Sequence, residues 1–180
     1  VLAAKCGLRR GEVCGLRWKD LDLDVPDGAE MTVSQTLQRR KGQGLKTQPP
    51  KTEGSRRRIP VLPSAVPYLK RWRTEQRRER MAAGPAWRGT GYVCTTLDGG
   101  PLDPQELDRS FRRLVSSIGI PPVTFHGLRH TFATLAIQNG ADFKWVQYML
   151  GHKTAAFTLD TYAHVTAASL REIAKGLDAR

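Results

Sequence analysis

The sequence predicts an α+β fold, mainly α-helical, with a small three-stranded antiparallel sheet. Apolar residues recur at i, i+3, i+4 spacing from Ser64 onward, the mark of amphipathic helices. Residues 31–61 instead hold three short runs with strand character, separated by turn signals. The pairs Pro49-Pro50, Gly84-Pro85 and Pro121-Pro122 punctuate the chain where such elements would stop.

In order, VLAAKC reads as the end of a helix stopped near Gly7, and Arg10 to Leu16 as a short helical turn leading into WKDLDLD. MTVSQTLQ, residues 31–38, alternates as a strand, and RRKGQG is a turn. LKTQPPKT and SRRRIPV read as two further strands joined at Thr52-Glu53-Gly54-Ser55, with Pro49 and Pro50 marking an edge or an interruption. A basic helix runs from Ser64 to about Met81, with Tyr68, Leu69 and Trp72 as its apolar stripe. GYVCTT is a short buried strand or extended segment, and Asp98-Gly99-Gly100-Pro101 a turn. Asp103 or Pro104 opens a helix to about Ile118 that turns Leu107, Phe111, Leu114 and Val115 inward. The next helix, Thr124 to Gly140, carries Phe125, Leu128, Phe132 and Leu135 on one stripe. His126, Arg129 and His130 form a second stripe roughly a third of a turn away. Asp142 caps DFKWVQYML, which Gly151 closes. TAAFTLDTYAHV and Ala167 to Leu177 read as two last helices.

The chain has 180 residues, enough for one domain with a real core, and ordinary hydrophobic content of 39%. Its charge is not ordinary: 29 Lys+Arg against 17 Asp+Glu give +12, which points to a polyanionic partner, nucleic acid before an anionic membrane surface. Cys6, Cys14 and Cys94 are scattered, with no CxxC pair, which argues against structural zinc or a disulfide frame and for a reducing compartment. No apolar run approaches the roughly 18 residues of a membrane helix, and no signal peptide is recognisable. The expected location is cytoplasmic.

Six side chains form a chemical set. Arg9 follows the helix stop at Gly7; Lys51 sits at the mouth of a hairpin; His126 and Arg129 share a helix edge; His152 follows a helix-ending glycine; Tyr162 lies on a late helix. Two arginines, a lysine and two histidines are donors with almost no acceptors, which is what a phosphate needs. Negative charge grows on the non-bridging oxygens during phosphoryl transfer, and preplaced donors stabilise it. A tyrosine hydroxyl can then be the nucleophile, given cations or a base to offset its ordinary pKa of about 10. Asp20, Asp22 and Asp24 lack an EF-hand pattern and HExxH is absent, so the expected chemistry is metal-free. His130, Tyr68, Tyr92 and Tyr148 read as structural or packing residues.

Four separated stretches, GLRRGEVCGLRWKDLDLD, PPKTEGSRRRIP, HGLRHTFATLAIQNGADFKWVQYMLGHK and TLDTYAHV, resemble the catalytic domain of tyrosine recombinases, the phage integrase family. The resemblance covers Val1 to about Val165. It implies that Arg9, Lys51, His126, Arg129 and His152 are catalytic, that Tyr162 is the nucleophile and that Glu12 supports the site. It further implies that Tyr162 attacks a DNA phosphate to leave a 3′-phosphotyrosine and a free 5′-hydroxyl, with Lys51 as general acid, in integration or excision of a prophage or mobile element. Arg39, Arg40, Lys41, Arg56, Arg57 and Arg58 are expected on DNA backbone, giving affinity rather than sequence choice. Implied partners are double-stranded DNA, further protomers as a tetramer on paired sites, and accessory DNA-bending proteins; no membrane is implied. Residues 1–165 would be the catalytic domain, truncated at its start and lacking a helical core-binding domain, and 166–180 a tail exchanged between subunits. Gly127 stands where many relatives have Asp, with little expected consequence. The alternatives are a DNA-binding module without catalysis and a metal-free nuclease or phosphatase using His126 and His152 as acid and base. A type IB topoisomerase shares the chemistry, but the motif wording is closer to integrases.

Overall fold

A computed structural model describes residues 1–26, 28–49 and 56–152. Lys51, Tyr162, the turn at Thr52 to Ser55 and the helices expected beyond His152 lie outside the described residues. Six α-helices are described: α1 (Leu2–Cys6), α2 (Arg10–Gly15), α3 (Val66–Ala83), α4 (Pro104–Ser117), α5 (Phe125–Gln138) and α6 (Phe143–Leu150). The strands are β1 (Leu21–Asp22), β2 (Glu30–Val33), β3 (Thr36–Arg40), β4 (Gly44–Gln48) and β5 (Arg57–Pro60).

The helix ends follow their local chemistry. Asp103, Thr124 and Asp142 cap α4, α5 and α6, each accepting a backbone N–H of the first turn. α1 and α6 both end on a left-handed glycine, Gly7 at φ +65° and Gly151 at φ +62°.

The three-stranded antiparallel sheet is present but is built from different strands than expected. Its order is β1-β2-β5, with Met31 opposite Leu21 on one side and Ile59 on the other. β3 and β4 form a separate hairpin, with Leu37 opposite Thr47. The run expected as one strand over 31–38 breaks at Ser34-Gln35, because the Gln35 amide donates to the Gly15 carbonyl at 2.6 Å and turns the chain onto α2. There β3 lies so close to α2 that a Cβ on Gly15 would meet the Gln35 oxygen at 3.1 Å, and one on Gly11 the Leu37 oxygen at 3.0 Å. GYVCTT forms no ladder, only isolated bridges from Arg17 to Tyr92 and from Thr95 to Pro101. It is held as an extended segment by Trp72 Nε1, 2.6 Å from the Val93 oxygen, and by the Gln76 amide.

The core lies between the three-stranded sheet and helices α1, α5 and α6, with Leu8, Met31, Ile59, Val146, Met149 and Leu150 fully buried. Each such aliphatic side chain contributes about 1.5–3 kcal/mol by leaving water. Three expected inward faces are corrected. On α5 the buried residues are Arg129, Phe132, Ala133 and Ile137, while Leu135 is exposed, so the helix is rotated from the expected stripe. On α4, Val115 is buried but Leu114 is 55% exposed. Tyr68 on α3 is 58% exposed and packs little.

Candidate active site

The site is assembled where the start of α2, the middle of α5 and the end of α6 meet the buried edge of β5. Helix α6 ends with its carbonyls pointing away from its own hydrogen bonds, the negative end of its dipole. Three consecutive carbonyls there are each taken by an arginine. Arg57 Nε donates to the Met149 oxygen at 2.9 Å, Arg129 Nη2 to the Leu150 oxygen at 2.7 Å, and Arg9 Nη2 to the Gly151 oxygen at 3.1 Å. Arg129 also donates through Nη1 to the Gly7 oxygen at 2.6 Å, tying the end of α1 to the end of α6.

One buried carboxylate balances part of this charge. Glu12 receives two donors on each oxygen: Arg9 Nη1 at 3.1 Å and Arg57 Nη1 at 3.0 Å on Oε1, the Arg9 backbone N–H at 2.8 Å and Arg57 Nη2 at 3.0 Å on Oε2. All of its acceptor sites are used. Burial by itself raises the Glu12 pKa, but the bonds and charge of Arg57, with those of Arg9, outweigh it and hold the carboxyl below its ordinary value.

Two histidines complete the described cluster. His126 sits in the first turn of α5, its ring 4.7 Å from that of His130 and edge-on to it. Its pKa is lowered by partial burial, then by His130, Arg129 and Arg9. His152 is half-buried just past Gly151, and its backbone N–H donates to the Gln147 oxygen at 3.1 Å. Burial, then the cations Arg129, Arg9 and Arg57, and His130, push its pKa down to about 4. Both rings are therefore neutral near pH 7 and can donate an N–H. The stability consequence has a definite sign. Unfolded His152 binds its proton near 6.5, the folded ring only near 4, so stability falls as pH is lowered through that window. His152→Gln should flatten the melting-temperature profile between pH 6.5 and 4; an unchanged slope would contradict the assignment.

The sum is three guanidiniums and the imidazoles of His126 and His152, with His130 beside them, around a single carboxylate, which leaves the cluster net positive. It opens into a groove of about 560 Å3 lined by Arg9, Arg10, Arg39, Asp103, Asp108 and His126 among others. Arg10 is ion-paired with Asp108, and Arg39 with Asp103, at its rim. Among the described residues no three His, Cys, Asp or Glu side chains converge as a metal ion would require.

The structure thus brings together Arg9, Glu12, His126, Arg129 and His152. Arg39, Arg40 and Lys41 lie exposed at the end of the β3–β4 hairpin, Arg56 is exposed just before β5, and Arg58 is exposed on it, where it pairs with Glu30. Arg57 is corrected. It is not on the surface; its side chain is 1% exposed, because the strand alternation that points Ile59 inward points Arg57 inward too, onto Glu12. That alternation was the available signal for a site residue that a run of three arginines conceals.

The model of the phage integrase family matches residues 1–169. A tyrosine recombinase XerC-like protein of Caldanaerobacter subterraneus subsp. tengcongensis is 34% identical over 174 residues, covering 92% of this chain and 44% of that protein. The integrase of Staphylococcus phage L54a is 29% identical, covering 97% of this chain and 49% of that protein. The chain spans about half the length of the curated relatives it matches. Among solved structures, the Tn1549 transposon integrase in complex with transposon right-end DNA aligns with a TM-score of 0.79 at 29% identity, over 98% of this chain and 57% of that one. XerA recombinase aligns with a TM-score of 0.70 at 28% identity, over 99% and 56%. The chain belongs to the phage integrase family, and its fold is that of tyrosine recombinase catalytic domains.

Proposed function

We propose that the protein is a site-specific DNA recombinase that breaks and rejoins DNA strands through a 3′-phosphotyrosine, in integration or excision of a mobile element. The observation that carries this reading is the triple-arginine seat at the end of α6, with neutral His126 and His152 beside it. Arg9 and Arg129 bind the non-bridging oxygens of the scissile phosphate and offset the charge that grows there. His126 and His152 donate to the same phosphate. Tyr162 attacks phosphorus as its hydroxyl proton leaves to solvent, the phosphoester bond to the 5′-oxygen breaks, and Lys51 delivers a proton to that oxygen. A second 5′-hydroxyl reverses the step, so the ester conserves the bond energy and no metal or cofactor is required. Arg39, Arg40, Lys41, Arg56 and Arg58 hold the DNA backbone. The working partners are double-stranded DNA, sister protomers as a tetramer on paired sites and accessory DNA-bending proteins, and the place of action is the cytoplasm, at the nucleoid. The catalytic domain would be residues 1–165, and 166–180 would dock on a neighbouring protomer.

The test compares the protein that carries this chain with its Tyr162→Phe variant on nicked, 3′-labelled DNA from the element's own ends, without metal. A slow, protein-linked band on a denaturing gel is expected with Tyr162 and not with Phe. Free cleaved ends without that band would make the protein a nuclease; binding without cleavage would make it a DNA-binding module.

A further inference from the structure

We propose that Arg57 is a positioning residue of the active site, which fixes Arg9 through Glu12 and fixes the turn carrying His152 through the Met149 carbonyl. The proposal rests on reading this site as a phosphoryl-transfer centre. The Arg57 side chain is 1% exposed, and all three of its guanidinium nitrogens are aimed at parts of the site.

One arm acts on Arg9. Nη1 and Nη2 bond one oxygen each of the Glu12 carboxylate, at 3.0 Å and 3.0 Å. This in-plane fork leaves the second acceptor site of each oxygen for Arg9: Oε1 takes its Nη1 and Oε2 its backbone N–H. Glu12 therefore sets both the side chain and the backbone of Arg9, and Arg57 sets the rotamer of Glu12. The other arm acts on the end of α6. Nε holds the Met149 oxygen, one residue before the carbonyl held by Arg129 and two before the one held by Arg9. The guanidinium also fills the space beside Gly151, where a Cβ would lie 2.8 Å from Nη1. His152 is the next residue. Arg57 itself is anchored by register, opposite Val33 on β2 and two residues from the fully buried Ile59. A lysine would keep the charge, but a single ammonium cannot bond both carboxylate oxygens in plane and a separate carbonyl as this guanidinium does.

The experiment uses Arg57→Lys, and Arg57→Gln combined with Glu12→Gln, which removes both buried charges at once, in the protein that carries this chain. Four quantities are read: melting temperature, affinity for the nicked duplex, single-turnover cleavage at saturating DNA, and the Arg9 Nε–H NMR signal of the free protein. Arg57→Lys is expected to fold, to bind DNA within about twofold, and to cleave about 10- to 100-fold more slowly, the scale of a misplacement of about 1 Å in a catalytic group. The Arg9 signal should move from its wild-type position. Cleavage equal to wild type at saturating DNA, or a defect confined to affinity, would overturn the proposal. If Arg57→Lys does not fold, the double variant is read against Glu12→Gln alone: a further loss of cleavage and a further shift of the Arg9 signal uphold the proposal, and readings equal to those of Glu12→Gln overturn it. If wild type itself forms no covalent product, the phosphoryl-transfer reading fails, and the Arg9 signal still decides the positioning: unmoved in the variant, it overturns it; moved, it upholds it.

Discussion

Arg129→Gln is expected to reduce strand cleavage by at least about a thousandfold while also lowering the melting temperature. The two effects have separate causes. Loss of one preplaced donor to a developing oxyanion costs on the order of 10²–10³ in rate, and in the proposed role Arg129, itself 2% exposed, is also a full positive charge. The stability loss comes from the Gly7 and Leu150 oxygens, which Arg129 satisfies at 2.6 Å and 2.7 Å. Each buried carbonyl left without a donor costs about 1–3 kcal/mol. Arg129→Lys should fall between, since an ammonium restores the charge but does not reproduce the fork that spans two carbonyls on different helices. Single-turnover cleavage and thermal melting of the same samples check both halves; a variant that melts lower yet cleaves at the wild-type rate would remove Arg129 from the chemistry.

Glu12→Ala carries the largest expected stability loss. It strands the Arg57 guanidinium in the core, and breaking a buried pair by removing one partner costs about 3–5 kcal/mol. In denaturant the midpoint should drop with little change in slope. Glu12→Gln should lose less, because an amide oxygen still accepts from one guanidinium. The wild-type contribution has a pH signature. The folded carboxyl titrates below its unfolded value of 4.5, so the stabilisation is present above that pH and is lost as pH falls through the folded pKa. A loss in Glu12→Ala of less than about 1 kcal/mol would mean that the pair contributes little to stability and that other contacts, the Met149 carbonyl among them, hold Arg57.

What could be read in the sequence was mostly local. Asp103, Thr124 and Asp142 are caps because a short oxygen-bearing side chain before a periodic run has an N–H to accept, and Gly7 and Gly151 are stops because only glycine takes a left-handed turn without strain. Arg9, Glu12, His126, Arg129 and His152 were recognisable through their motifs, and the structure brings them together at the end of α6. What was not legible depends on groups far away in sequence. The break at Ser34-Gln35 depends on the Gly15 carbonyl, 20 positions earlier. The rotation of α5 depends on Gly7 and Leu150, which give a buried arginine somewhere to bond; without them Leu135 is as good an inward residue as Ile137. Leu114 failed because a helix four turns long offers more apolar positions than its one covered face uses. Arg57 was hidden by its neighbours: period-2 alternation from Ile59 points it inward, but three arginines in a row read as a basic surface.

The most direct test of the account replaces the scissile phosphate by a methylphosphonate, which removes the charge of one non-bridging oxygen, and compares wild type with Arg129→Gln in single-turnover formation of the covalent product. If Arg129 acts by offsetting charge on those oxygens, its loss should matter far less on the neutral substrate, with the rate gap between the two proteins shrinking by an order of magnitude or more. A gap as wide on methylphosphonate as on phosphate would contradict the account and leave Arg129 as a tie between α1 and α6, with no part in the reaction.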